Sequence, residues 1–134
     1  MLEVPSFTKV VMVLHICGAR VRWLAPVAAS CSLGVLVSFT CAPLFDDTVY
    51  RRMRADKGWT SSFFYVGHFL VHVLPAIYGY LYYVPSKLDA ACAVILHVAW
   101  FSVADLNRIY VPLPERVWLK LMWIATLTEL AAAA

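Results

Sequence analysis

Apolar residues run in four long blocks along this chain, and the polar ones gather in short stretches between them. Residues 23–45 (WLAPVAASCSLGVLVSFTCAPLF) and 59–84 (WTSSFFYVGHFLVHVLPAIYGYLYYV) each reach the roughly 20 residues a helix needs to cross a bilayer. Residues 88–104 (LDAACAVILHVAWFSVA) are shorter. The last block, 117–134, carries Lys120 and Glu129, of which Lys120 is near one end and can snorkel. Residues 1–22 have an apolar core, 10–19, that is too short to span. Lys9, Arg20 and Arg22 border it, so it predicts a helix lying at the interface. The pattern predicts an all-α, polytopic integral membrane protein. It has a single membrane domain with three to four transmembrane helices and an N-terminal interfacial helix.

Each block has a face. On a helix of about 3.6 residues per turn, Ser61, Tyr65, His68, His72, Pro75 and Gly79 share one stripe, opposite Val66, Leu70, Val73, Ile77 and Leu81. Polar groups are costly in hydrocarbon, so the stripe with both histidines is expected to face other helices. Ala90, Ala93, His97 and Ala104 form a second contact face, and Ser30, Gly34 and Ser38 a third; small residues there let backbones approach closely. Expected packing positions are therefore Ser30, Gly34, Ser38, His68, Ala90 and Ala93.

Counting from the turn at Pro85, His72 lies 13 residues before it and His97 lies 12 after it. At a rise of about 1.5 Å per residue, both rings sit roughly 18–20 Å from that turn, at matching depth. Two imidazoles so placed could hold a b-type haem between neighbouring helices. The plainer reading is that they hydrogen-bond to backbone carbonyls, serine or tyrosine across helices.

Composition narrows the class further. The chain is 63% hydrophobic and 14% charged, where a soluble domain carries about 25% charged residues. No polar stretch is long enough for a soluble domain. Four cysteines (Cys17, Cys31, Cys41, Cys92) show no paired spacing and sit in apolar blocks, which predicts packed thiols rather than a zinc site. The pair His68-x-x-x-His72 lacks the glutamate of a zincin motif. With no P-loop, dinucleotide fingerprint or catalytic triad, independent catalysis is not expected, and neither is a metal centre or a nucleic-acid partner.

The charges also suggest a topology. For four spans, Arg51, Arg52, Arg54, Lys57, Arg108, Arg116 and Lys120 fall on one side, and Lys9, Arg20, Arg22 and Lys87 on the other. Seven against four places the loops inward by the positive-inside rule. Arg51, Arg52 and Arg54 read as a solvated loop or as a contact for anionic lipid headgroups. Asp105 and Tyr110 read as an interfacial turn, or as polar contacts for a headgroup or a quinone carbonyl.

Residues 74–127 resemble the small membrane-anchor subunit of succinate dehydrogenase. The shared pieces are LPAIY (74–78), a histidine within VILHVAW (94–100), the acid and tyrosine of DLNRIYVPL (105–113), and a final span opening near Arg116. The resemblance implies His97 as an axial haem b ligand and places Asp105 and Tyr110 near ubiquinone. Three readings follow. The first is a small non-catalytic subunit of a multi-subunit membrane complex, with other membrane subunits and lipids as partners. Its expected home is the mitochondrial inner membrane or a bacterial-type energy-transducing membrane. The second is a redox anchor binding haem through His97 and His72 with quinone nearby. The third is a small transporter with a proton path through its histidines, or a viral envelope protein.

Overall fold

The computed structural model describes residues 4–134, and these are helical, with no strand among them. The helices are α1 (Phe7–Gly18), α2 (Leu24–Cys41), α3 (Val49–Lys57), α4 (Ser61–His68), α5 (Leu74–Tyr82), α6 (Lys87–Val103), α7 (Leu106–Ile109) and α8 (Glu115–Ala131). A 3-10 turn, Ala42–Leu44, prolongs α2. A π-helical turn, Phe69–Val73, joins α4 to α5 in one continuous rod.

Local chemistry sets several of these boundaries. Gly58 stops α3 in the left-handed region at φ 66°, a conformation that costs glycine no Cβ clash. Thr60 caps α4 by accepting from the Phe63 N–H at 3.2 Å. Ser86 and Asp89 form a capping box: the serine hydroxyl accepts from the Asp89 N–H, and the Asp89 carboxylate accepts from the Ser86 N–H. Asp105 caps α7 through the Arg108 N–H. The π turn falls just before Pro75, whose ring has no N–H and would clash with the carbonyl four residues back, so the widened turn accommodates it.

Helix α2 is the axle of the bundle. Helices α1, α5, α6 and α8 all pack on it, whereas α5 and α6 scarcely touch. Neighbours can come this close because the residues α2 buries are Ala25, Val27, Ala28, Ala29, Ser30, Cys31, Ser32 and Gly34, all of them small. Gly79 of α5 approaches so tightly that an added Cβ would stand 2.6 Å from the Ala29 Cβ and 2.9 Å from its Cα. Ser30, Ala90 and Ala93 are fully buried. Ser38 is half-buried, with its hydroxyl donating to the Val35 carbonyl.

Two helical stretches, Leu24–Leu44 and Ser61–Tyr82, are long and apolar enough to cross a membrane. Helices α6 and α8 have 17 residues each, about 26 Å of helix, and as helices they fall short of that length. The expectation of an interfacial helix in residues 1–22 is changed in part, residues 1–3 of it lying outside the described chain. Helix α1 folds back along α2 as a hairpin, with Gly18 against Ala25 and the His15 ring bonded to the Ser32 hydroxyl at 2.7 Å. Phe7 and Val11 are buried in the bundle. The cysteines are free as expected, but only Cys31 is buried; Cys17 and Cys92 are exposed.

The two connections at one end fold into a cap. Ala42, Val49, Val111, Leu113, Val117 and Leu121 form a small core there. Asp46 accepts from Thr48 and pairs with Arg52, and these contacts hold its carboxyl below the usual carboxylate range. Arg52 also donates to the Pro112 carbonyl at 2.8 Å, tying one connection to the other. Arg54 donates to the Ser61 hydroxyl. The simple solvated loop expected of Arg51, Arg52 and Arg54 is thus a short helix. Two of its arginines stitch the cap, and Arg51 is exposed.

The Gly79–Ala29 contact predicts the effect of two substitutions. Gly79→Val pushes a branched side chain into backbone and is expected to destabilise by about 1–3 kcal/mol. Gly67→Ala meets nothing within 4 Å and should be neutral or stabilise by about 0.5–1 kcal/mol. Denaturant titration in mixed micelles measures both.

Candidate functional site

Helix α1 has only 12 residues, about 18 Å of length, so it lines only part of the length of α2. Beyond its first turn the bundle opens into a cavity of about 1110 Å³ bounded by the cap, the C-terminal halves of α2 and α6, the rod α4–α5 and the start of α8. Most of the wall is apolar or aromatic. Three histidines stand in it: His68, His72 and His97.

His97 is the most constrained of the three. Its ring stacks on Phe7 with centroids 4.1 Å apart and 20° between planes. Its Nδ1 lies 3.0 Å from Oε1 of Glu129 in a buried hydrogen bond. Glu129 is wholly buried, and its second oxygen, Oε2, has no hydrogen-bond partner among the described residues. Space for the carboxyl comes from Gly34 of α2: a Cβ there would lie 2.8 Å from Glu129 Cγ and 2.9 Å from Cδ. One turn earlier on the same face, Ser30 is buried with its hydroxyl unpartnered. Tyr80 of α5 is within electrostatic reach of Glu129, and its hydroxyl too is buried without a partner. Burying a charge is expensive unless it is paired. The Glu129–His97 contact is the bundle's answer to that cost.

His68 and His72 occupy the opposite wall. Both rings stack on Phe39 of α2, at 4.9 Å and 4.8 Å, and lie 5.2 Å from each other. The π turn between α4 and α5 carries His72, and Nδ1 of His68 is buried without a partner. So His72 and His97 share a cavity, but on faces separated by α2 rather than on two helices in direct contact.

The residues expected near a quinone are used structurally. Asp105 caps α7. Tyr110 packs against the cluster that holds Phe7, close to Thr8, and burial pushes its hydroxyl up to about 12. Its ring packs edge-on to Trp100 and beside Trp118. Both Asp105 and Tyr110 line the cavity. Among the described residues no three histidine, cysteine, aspartate or glutamate side chains form a cluster able to hold a metal ion.

Glu129, Phe7, Phe39 and Tyr80 are the site residues that sequence reasoning passed over. For Glu129 a signal existed. An acid inside an apolar block is a functional candidate by its cost alone, yet in the linear pattern it counted only against the span.

The pairing of Glu129 with His97 is open to a mutational cycle. His97→Leu leaves a buried carboxyl unpaired and should cost about 3–5 kcal/mol, and the double variant His97→Leu/Glu129→Leu should lose distinctly less than His97→Leu and Glu129→Leu summed. A double-variant loss equal to the sum of the two single losses, read by denaturation in micelles, would mean that the pair carries no coupling.

No family model, characterised protein or solved structure was found to match this chain.

Proposed function

We propose that this chain is an integral membrane helical bundle serving as a small, non-catalytic subunit of a larger membrane assembly. The observation that carries the reading is its inverted polarity. Large apolar side chains crowd the exterior, among them Ile16, Leu44, Leu81, Leu88, Ile95 and Trp123, each more than half exposed. The buried set meanwhile includes Glu129, His97, Ser30, Ser32 and Thr126. Water would penalise such a surface, while lipid or partner helices would accept it. The subunit role is supported by the rod α4–α5. It rests on α2 along one face, and only 17% of its span is buried. A partner helix beside it would cover the open face and the cavity mouth. An energy-transducing membrane is the proposed home, and the exposed Arg51 would face its lipid headgroups.

A second reading, the haem-binding redox anchor, is favoured by one observation: His72 and His97 line the same cavity. Glu129 on Nδ1 suits a ligating histidine, since a carboxylate there fixes the ring and its tautomer. In this reading His97 and His72 hold a b-type haem, whose iron supplies one-electron chemistry. The chain's own part is to orient the rings and exclude water. Tyr110 is then the wall of a quinone site rather than its hydrogen-bond donor.

Alkaline carbonate washing and detergent extraction test the first reading. The chain should stay with the membrane pellet and migrate, in mild detergent, as an assembly larger than its own 15.0 kDa. A monodisperse species in plain buffer would end it. A reduced-minus-oxidised spectrum of the same preparation decides the second reading: a b-type band lost in His97→Ala supports haem, and a featureless spectrum from the intact assembly removes it.

A further inference from the structure

Three buried polar atoms without partners sit on helices that pack together: Glu129 Oε2, the Ser30 hydroxyl and the Tyr80 hydroxyl. They lie on α8, α2 and α5, behind the wall of the cavity. On the cavity side of the same carboxyl stands His97, with Nδ1 bonded to Glu129 and Nε2 making no hydrogen bond to a described residue. The groups near Glu129 are few: Cys31 and Gly34 from α2, Tyr80 from α5, and His97 from α6, whose ring face is covered by Phe7 of α1, with Ser30 one turn before Gly34 on α2. No lysine or arginine is among them. A buried acid with neutral hydroxyls on one side and a titratable ring on the other is suited to hold and pass a proton, not a fixed ion pair.

We propose that His97, Glu129, Ser30 and Tyr80 form a proton relay that carries protons from the cavity through the bundle between α2, α5 and α8. Nε2 of His97 takes a proton from water in the cavity, and the ring passes its Nδ1 proton to Oε1 of Glu129. The carboxyl then turns about its Cγ–Cδ bond so that the protonated oxygen leaves the ring for the side of Ser30 and Tyr80, and it gives that proton up to water there, which restores the carboxylate. The ring is left with its proton on Nε2; it turns about Cβ–Cγ so that Nδ1 comes off the carboxylate, returns the Nε2 proton to cavity water, takes a proton from that water on Nδ1, and turns back, so that each cycle moves one proton. Each transfer breaks one N–H or O–H bond and forms another, so no oxidant or co-reactant is needed. The inference rests on the membrane reading above.

The test uses the full purified chain in phospholipid vesicles loaded with a pH-sensitive dye, under an imposed pH gradient with a potassium ionophore to balance charge. Flotation on a density gradient reports insertion separately. If the chain does not float with the vesicles, the membrane reading fails and the relay with it. If it floats, proton entry should exceed that of protein-free vesicles and fall to their level in Glu129→Gln. Flux no greater than in protein-free vesicles, or unchanged in Glu129→Gln, overturns the relay. Should Glu129→Gln fail to insert, the double variant Ser30→Ala/Tyr80→Phe decides, since it removes only two hydroxyls. Lost flux with normal flotation supports the relay, and retained flux overturns it.

Discussion

Close approach to the backbone of α2 is the constraint on which the rest of this bundle depends. The helix buries alanine, serine, cysteine and glycine with only one valine among them, and four other helices settle against it. Dispersion is short-ranged, so contacts at this distance are worth having only if no side chain stands between. That requirement explains Gly79 against Ala29 and Gly34 against Glu129. At Gly34 the space left by a missing side chain is filled by a carboxyl reaching in from α8. Packing and chemistry at this point are the same fact.

The cavity follows from a length mismatch. Helix α1 ends its cover of α2 partway along, and Phe7 at its first turn becomes the floor on which His97 stacks. Tyr110, arriving from the far connection, packs against that first turn. The cap then closes the other end through the Asp46–Arg52 pair and the Arg52–Pro112 contact. What remains between is lined by aromatic rings and three histidines. The π turn ahead of Pro75 belongs to the same design: a break in regular hydrogen bonding is placed where His72 joins His68 on the face of Phe39. Insertions of this kind are often retained where a helix must present side chains out of regular register.

Reading positions from periodicity worked where the information was local. The four-residue spacing of Ser30 and Gly34 was enough to mark a packing face, and the two histidines singled out by counting from Pro85, His72 and His97, line one cavity. Other features were hidden because they depend on contacts between distant segments. Glu129 meets His97 from 32 residues away, and nothing in the linear pattern names that partner. Asp105 and Tyr110 read in the sequence as an interfacial turn or as ligand contacts; in the fold Asp105 caps α7, Tyr110 packs beside Trp100 and Trp118, and both line the cavity. Arg52 read as loop charge, and in the fold it ties one connection to the other.

By itself the sequence determined the helical class, the long apolar stretches and the local caps at Thr60, Ser86 and Asp105. These depend on backbone sterics, hydrogen-bonding side chains within a turn of each other, and hydrophobic period. Only the tertiary structure decided that α2 would stand between the two histidine-bearing helices, that α1 would fold into the bundle, and that a buried acid would find an imidazole. Those outcomes rest on which small faces match in shape and on where a buried charge can be paired. Both are properties of several segments together and of no single one.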